Sequence, residues 1–290
     1  MLKRATLIST VLLALVIGAC SDQEPLTEAP YYTSLEEAQK VAADDDKYIV
    51  IKFYTDWCKW CKTLDTVVLV DSAAIEFFDD EMLLVKTDAE EDTALANRYN
   101  VRGFPTLVMV DAEGREVDRL VGYLPTEDFL KTFRDYAKGI GTLDDLVNRA
   151  EAAEEPDRDL LWEIADKYKY RGEGDSAMVW FQRVIEAGDP LDSLSGEARL
   201  AIADDLRRND EHEEAIEAFR AVARDFENQP TAEEALVWIA ITTKAKGDTT
   251  KALGLFRDFV NTHPNSRLVQ YCQGQIDNIT APPKEDSAQG

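Results

Sequence analysis

The sequence predicts an α/β domain followed by an all-α domain of helical repeats. In the first half, short apolar runs rich in β-branched and aromatic residues alternate with segments of helical spacing. This alternation is typical of a layered fold with a partly parallel sheet. Beyond residues 139–141 the strand-like runs stop, and the rest of the chain is helical and acidic. Two domains agree with a length of 290 residues.

Residues 1–20 have the pattern of a bacterial signal sequence. Two basic residues precede a short, largely apolar run, and small residues lead to Cys20. This end resembles the bacterial lipoprotein signal, which implies that Cys20 is lipidated and becomes the mature N-terminus. An ordinary secretory signal and an uncleaved anchor stay open as alternatives. Ser21 after the cysteine favours the outer membrane, and residues 21–33 are expected to form a flexible tether.

The α/β domain is organised around Cys58 and Cys61. A helix beginning at Ser34 and a buried strand over Tyr48–Tyr54 lead to these two cysteines. Helical spacing continues to Phe78, so Cys58 is expected at a helix N-terminus and Cys61 one turn further along the same face. The positive end of a helix stabilises a thiolate on the first cysteine. We therefore expect redox chemistry in which Cys58 is the exposed nucleophile and Cys61 is its resolving partner.

Two other uses of this C-x-x-C pair stay open. A structural zinc site needs a second pair of ligands at a compatible spacing, and the remaining cysteines and histidines are remote in sequence and unpaired. A purely structural disulfide would close a very short loop and would add little stability. We therefore expect no metal, and no cofactor other than the redox-active disulfide of Cys58 and Cys61.

The segment Trp57-Cys58-Lys59-Trp60-Cys61-Lys62 resembles the active site of the thioredoxin superfamily, and more closely that of periplasmic thioredoxin-like domains with the motif W-C-x-x-C-K. The resemblance extends over residues 34–139. Val101–Thr106 is similar to the cis-proline loop of the family. Asp111–Gly114 and Leu120–Gly122 are similar to the turn and the final hairpin of the family. The resemblance implies a thioredoxin fold.

The resemblance also implies a role for each residue of this site. Cys58 would attack a partner disulfide, and Cys61 would resolve the mixed disulfide. Pro105, if its peptide bond is cis, would hold Phe104 beside the sulfurs, where an extended substrate chain can pair with the backbone. The side chains of Trp57 and Trp60 would shape the surface around the nucleophile. For Trp60, ordinary apolar packing is the alternative.

The sequence departs from the family six residues before Cys58. Many thioredoxins have a buried aspartate there that aids proton transfer to the second cysteine, whereas this chain has Lys52. A buried, unpaired lysine is costly, and its pKa falls. Asp65, four residues after Cys61, is at a position where related periplasmic domains have an acid. We expect Asp65 to be the proton acceptor, paired with Lys52; a solvated helix position is the alternative.

Helical repeats are expected in residues 140–279. Alanines twelve residues apart are each followed, four residues later, by a phenylalanine, and this set recurs after 38 and then 37 residues. The spacing resembles tetratricopeptide repeats, which implies a concave surface for a protein or peptide partner. The last residues, 280–290, are expected to form a disordered tail. The three sets are Ala165, Ala177 and Phe181; Ala203, Ala215 and Phe219; and Ala240, Ala252 and Phe256.

The composition restricts the partners of the chain. With 57 acidic and 32 basic residues the net charge is −25, which disfavours nucleic acid binding because phosphates are repelled. We predict a membrane-tethered thiol–disulfide oxidoreductase, on the periplasmic side, that acts on protein thiols and disulfides. The resemblance implies a reductase supplied by a membrane electron donor. The alternative is a chaperone or assembly scaffold in which partner binding is the main activity. Cys272 is expected to be a small buried hydrophobe.

Overall fold

A computed structural model describes residues 27–281. Four strands and five helices form an α/β unit, and eight helices follow. The strands are β1 (Tyr48–Tyr54), β2 (Met82–Asp88), β3 (Thr106–Val110) and β4 (Glu116–Val121). The helices are α1 (Leu35–Asp45), α2 (Lys59–Thr63), α3 (Ser72–Asp80), α4 (Thr93–Arg98), α5 (Thr126–Ala137), α6 (Leu143–Ala152), α7 (Arg158–Arg171), α8 (Gly174–Glu186), α9 (Ser193–Arg208), α10 (His212–Asp225), α11 (Pro230–Ala245), α12 (Thr249–Thr262) and α13 (Val269–Thr280). The predicted fold class, α/β followed by all-α, is confirmed.

The sheet has the strand order β2–β1–β3–β4. β1 pairs parallel with β2 and antiparallel with β3, and β4 lies antiparallel to β3 at one edge. Successive side chains of β1 enter two apolar layers. Val50 faces the layer of α3 and α5, whereas Ile49 and Ile51 face the layer of α1 and α4. Lys52 follows the alternation of Val50 and therefore points towards the side of the sheet on which α3 and α5 lie.

The expected flexible tether does not extend to residue 33. Ala29 is buried in the layer of α3 and α5, and its amide donates to the carbonyl of Leu69 at 2.7 Å. Tyr32 forms a parallel bridge with Val85, which covers part of the outer edge of β2. An edge strand has unpaired backbone groups, so a segment that pairs with it is held in place. Residues 29–32 are therefore part of the α/β unit.

The predicted lipoprotein signal with Cys20, the first part of the tether and the tail after residue 281 lie outside the described residues. Among the helices of residues 27–281, none combines the length and the apolar character that a membrane span requires.

Three successive pairs of helices, α7–α8, α9–α10 and α11–α12, form the repeat region, and α13 packs against the last pair. The alanines and phenylalanines that recur in the sequence are all at most 1% exposed. Phe181, Phe219 and Phe256 each lie in a separate apolar cluster with the alanines of the same repeat or of its neighbour. The recurring positions therefore form the core of the repeats, because small side chains allow two helices to approach closely.

Helix α7 covers the edge strand β4 and so joins the two regions. Asp118 is fully buried, and its carboxylate accepts hydrogen bonds from the Lys167 ammonium at 2.8 Å and from the Leu143 amide at 2.6 Å. Arg119, also buried, donates to the carbonyl of Tyr170 at 2.6 Å. Burial, the largest single influence, lowers the pKa of Lys167, but the charges of Asp118 and Tyr136 and the hydrogen bonds to both outweigh it together, and the pKa is raised. The two regions therefore share a buried polar contact.

Candidate active site

A disulfide joins Cys58 and Cys61 where β1 ends and α2 begins. Cys58 is the N-cap of α2, and its sulfur accepts a hydrogen bond from the amide of Cys61 at 3.0 Å. The first amides of a helix have no partner within the helix, so a sulfur in the capping position receives one of them. The predicted position of Cys58 at a helix N-terminus is thus the one observed.

The expectation that the sulfur of Cys58 is exposed is wrong for the disulfide form. Cys58 is 5% exposed and Cys61 is 1% exposed. The sulfur of Cys58 is bonded to Cys61, and its amide donates to the carbonyl of Thr55 at 3.1 Å. Cys58 is still the more accessible cysteine of the pair. A nucleophilic cysteine has to be more accessible than the cysteine that resolves the mixed disulfide, and Cys58 meets this requirement.

Two pairs of aromatic side chains flank the disulfide. Trp57 lies edge-on to Phe104, with ring centres 5.8 Å apart, and its indole N–H donates to Glu90 at 3.0 Å. Trp60 stacks on Tyr123, with ring centres 5.6 Å apart. Trp57 is 67% exposed and Trp60 is 55% exposed, so core packing does not account for either. Tyr123 was not predicted as a site residue, because nothing in the local sequence pattern relates it to Trp60.

The peptide bond between Phe104 and Pro105 is cis, as the predicted role of Pro105 requires. The carbonyl of Pro105 accepts a hydrogen bond from the amide of Gly122 at 2.8 Å. Thr106, the first residue of β3, is paired with Val121 at the end of β4. The loop is therefore attached to the end of the sheet, and Phe104 lies against Trp57 next to the disulfide.

Lys52 is buried on the side of the sheet that α3 and α5 cover, and its ammonium pairs with the carboxylate of Asp65. Lys52 is 1% exposed, and its ammonium lies 2.5 Å from the Asp65 carboxylate. Lys86 approaches the same carboxylate at 3.6 Å and pairs with Glu28 at 3.0 Å. Burial lowers the pKa of Lys52, while the hydrogen bond and the charge of Asp65 oppose the shift. The predicted ion pair between Lys52 and Asp65 is therefore present. The role of Asp65 as acceptor of the Cys61 proton stays a prediction.

The helix after the cysteines is interrupted, although its apolar spacing is helical throughout. α2 ends at Thr63, residues Leu64–Val68 form a π-helical turn, and α3 begins after Asp71, whose carboxylate caps it. Asp65 lies in this wider turn. An apolar residue every three or four positions does not distinguish a π-turn from an α-turn, so the interruption was not predicted. Such turns are frequent at functional sites.

Cys272 is fully buried among the apolar side chains of α12 and α13, as expected. Burial raises the pKa of its thiol to about 11. Within residues 27–281, no group of three or more histidine, cysteine, aspartate or glutamate side chains could hold a metal ion.

Two segments of the chain match models of known protein families. Residues 35–137 match the family model of a thioredoxin-like domain, and residues 234–266 match that of a tetratricopeptide repeat. The chain is 30% identical over 114 residues to the thiol:disulfide interchange protein DsbD of Ralstonia nicotianae, which covers 38% of this chain and 18% of that relative. It is 31% identical over 127 residues to a protein disulfide-isomerase of Gallus gallus, which covers 39% of this chain and 24% of the relative.

Among solved structures, a thioredoxin from Thermus thermophilus is 28% identical, with a TM-score of 0.34, and the match covers 39% of this chain and 88% of that one. The chain spans less than a quarter of the length of the two curated relatives, 18% and 24%. The family matches and the geometry agree on the same segments. Residues 35–137 are a thioredoxin-like domain with a C-x-x-C cysteine pair, and residues 234–266 are a tetratricopeptide repeat.

Proposed function

We propose that the chain is a thiol–disulfide oxidoreductase that acts on protein disulfides through Cys58 and Cys61. The observation that carries this proposal is the position of the pair, at a strand–helix junction and between two exposed aromatic pairs. Two relatives named as a thiol:disulfide interchange protein and a protein disulfide-isomerase support the reaction class. Disulfide exchange moves electrons between sulfurs, so the reaction needs no dissociable cofactor.

In the reducing direction the reaction starts from the dithiol. The Cys58 thiolate attacks one sulfur of the partner disulfide; a mixed disulfide forms, and the other partner sulfur leaves and takes up a proton. Cys61 then loses its proton, attacks the Cys58 sulfur and displaces the second partner thiol. Two electrons have moved to the partner, and the Cys58–Cys61 disulfide has formed. A membrane electron donor would return this disulfide to the dithiol.

Asp65 is the proposed acceptor of the Cys61 proton. Asp65 follows Cys61 by four residues, and its carboxylate is held between the ammonium groups of Lys52 and Lys86. Its side chain is 35% exposed, so a proton taken from the buried Cys61 can pass on to water. Lys52 itself is enclosed, and its ammonium holds the carboxylate of Asp65 in the π-helical turn that follows α2.

The protein substrate would lie across the disulfide as an extended chain. The pairs Trp57–Phe104 and Trp60–Tyr123 form apolar walls on its two sides. The backbone of Phe104, next to the cis bond, is the proposed partner for main-chain hydrogen bonds. Exposed tryptophans of this kind supply contact area for many different side chains, which fits an enzyme with varied protein substrates.

The helical repeats would recruit or position a protein partner. A groove of about 760 Å³ lies along α10, α11 and the end of α12. Its walls combine apolar and charged side chains, among them Leu236, Ile239, Arg220, Arg224 and Glu233. A groove of this mixed character fits a polypeptide segment, since apolar contacts give affinity and the charged groups select among partners.

We also propose that a lipid on Cys20 holds the protein at the periplasmic side of a bacterial membrane, with the outer membrane favoured. Cys20→Ser is expected to abolish incorporation of a labelled fatty acid into the protein. Ser21→Ala, a change at the adjacent residue that leaves Cys20 in place, should keep the label. A wild-type protein that takes up no labelled fatty acid, or a Cys20→Ser protein that still takes it up, would contradict the lipid anchor on Cys20.

The redox equilibrium of Cys58–Cys61 tests the proposed activity and its direction. The Cys272→Ala protein is equilibrated in a series of glutathione buffers, and the pair is read by mass after alkylation of its thiols. We expect a midpoint near that of thioredoxin, about −270 mV, which indicates a reductase; one near −120 mV would indicate an oxidant. A pair that stays a disulfide in every buffer would contradict the enzymatic function.

A further inference from the structure

A cleft of about 220 Å³ lies between the end of β4 and one face of α7. Leu120 and Val121 line it on the thioredoxin-like domain, and Trp162 and Tyr170 are its aromatic residues on α7. These two positions are eight residues apart, so they lie on the same face of the helix. Small-molecule sites usually measure about 300–1,000 Å³, so this cleft fits a single side chain rather than a cofactor.

Most of the charged side chains that line the β4–α7 cleft are already paired within the protein. The exception is Glu163, which is exposed to water. An occupant therefore gains more from apolar contact with the two aromatic rings than from a charge of its own. The existing pairs are Arg119 with Glu116, Lys167 with Asp118, and Asp166 with Lys169.

The end of α7 is fastened to the thioredoxin-like domain, so the two walls of the cleft are held together. Arg119 donates to the carbonyl of Tyr170 at 2.6 Å, and Arg171 donates to the carbonyl of Val117 at 3.2 Å. The side-chain amide of Asn100 donates to the carbonyl of Arg171 at 3.1 Å. A helix of the repeat region thus forms a fixed wall beside the edge of the sheet.

The backbone of β4 has free hydrogen-bonding groups at the cleft. The amide of Gly122 donates to the carbonyl of Pro105, so Gly122 faces β3 and, by the alternation of an antiparallel pair, Val121 faces outwards. The carbonyls of Val117 and Arg119 also face outwards and accept hydrogen bonds from side chains of α7 and α5. Val121 has no such partner within residues 27–281. An extended polypeptide can pair with free backbone groups of this kind.

The cleft is continuous with the surface around the disulfide. Tyr123, two residues after Val121, stacks on Trp60 with ring centres 5.6 Å apart. Gly122, between them, is bonded to Pro105 of the cis-proline loop. A substrate segment that lies across the disulfide and passes Tyr123 therefore reaches the cleft.

We propose that the β4–α7 cleft receives an apolar side chain of the protein substrate, a few residues from the cysteine that Cys58 attacks, while the substrate backbone pairs with Val121. The inference rests on the proposed function, because it names a specificity site for the same disulfide exchange. Trp162 and Tyr170 are the residues that select this side chain. The first helix pair of the repeats thus takes part in substrate recognition at the active site.

Peptides in which one phenylalanine is moved along the chain test the cleft. Each peptide has one cysteine in a background of glycine, serine and alanine, and is used as its disulfide-linked dimer. Dithiothreitol supplies the two electrons of each turnover. For the wild type we expect kcat/KM to be about tenfold higher with phenylalanine than with serine at one position, the lower end of what one apolar group adds in a pocket. This position should lie about two to six residues from the cysteine, since an extended chain advances about 3.3 Å per residue.

Tyr170→Ala should lower kcat/KM for the phenylalanine peptide to the value for the serine peptide, because it removes one wall of the cleft. The carbonyl that binds Arg119 stays in place in this variant. Tyr170→Phe keeps the ring and should keep the preference. Tyr271→Ala is the matched control: Tyr271 lies on α13 and is 46% exposed, against 41% for Tyr170, and its loss should leave the preference unchanged.

A wild type without a phenylalanine preference at any position, or a preference that survives in Tyr170→Ala, would overturn the assignment. Failure of the wild type to reduce any of the peptides would contradict the proposed function instead. A binding measurement that needs no turnover decides on the cleft in that case. The phenylalanine peptide with serine in place of its cysteine should shift the amide resonance of Val121 in the oxidised wild type, and the absence of this shift would overturn the assignment.

Discussion

Cys58→Ser is expected to reduce the turnover of protein disulfides to the uncatalysed level, whereas Cys61→Ser is expected to stop the reaction halfway. A serine hydroxyl stays protonated at neutral pH and does not attack a disulfide, so Cys58→Ser removes the first step. Cys61→Ser leaves that step in place but removes the resolving sulfur. The Cys61→Ser protein should therefore accumulate as a mixed disulfide with its substrate.

The measurement is the reduction of a disulfide-bonded protein with dithiothreitol as electron source, followed by non-reducing electrophoresis and mass spectrometry of the adducts. Cys272→Ser is the matched control, because it removes a cysteine that is buried in the repeats, and it should keep full turnover. Turnover that survives Cys58→Ser would contradict the mechanism. If the variant lacking both Cys58 and Cys61 holds unfolded clients as well as the wild type does, partner binding becomes the main activity.

Asp65→Ala is expected to lower the free energy of unfolding by about 3 kcal/mol, because it leaves the buried Lys52 ammonium without its carboxylate. Lys86 cannot replace the missing partner, since it is itself a cation. Urea unfolding of the disulfide form measures the loss. Asp80→Ala, at an exposed acid of α3, is the control and should change stability by less than about 0.5 kcal/mol. An equally small effect of Asp65→Ala would show that the pair does not hold the site together.

The variant that combines Lys52→Met with Asp65→Asn separates stability from proton transfer. Without the buried charge, its stability should return to at least that of the wild type. The resolution of a preformed mixed disulfide should nevertheless be about a hundredfold slower, the lower end of what a positioned proton acceptor contributes. Resolution at the wild-type rate would assign Asp65 a purely structural role.

Lys52→Met alone is expected to increase the free energy of unfolding by an amount that depends on pH. Burial lowers the pKa of Lys52 below its usual 10.5, so the unfolded chain binds this proton more readily than the folded chain. The stability of the wild type therefore rises with pH between the lowered pKa and about 10.5. The gain from Lys52→Met should be greatest below the lowered pKa and disappear towards pH 10.5. A gain that is constant from pH 6 to 10.5 would contradict this account.

Local signals made the fold and the cysteine pair predictable. The alternation of apolar runs with helical spacing indicated the fold class, and the strand before the cysteines was predicted with the bounds observed, Tyr48–Tyr54. The recurring alanines and phenylalanines predicted which side chains fill the core of the repeats. Each of these signals is complete within a few helical turns or one strand, because secondary structure and its buried face depend mainly on neighbours in sequence.

The sequence by itself determined that a C-x-x-C pair follows a buried strand, that Pro105 precedes the strand Thr106–Val110, and that helical repeats follow. Only the tertiary structure decided which distant side chains meet there. It placed Tyr123 on Trp60 and folded residues 29–32 onto the sheet. The physical reason is that burial and hydrogen-bond partners across tens of residues exist only once the layers have packed, whereas periodicity and capping act within a single element.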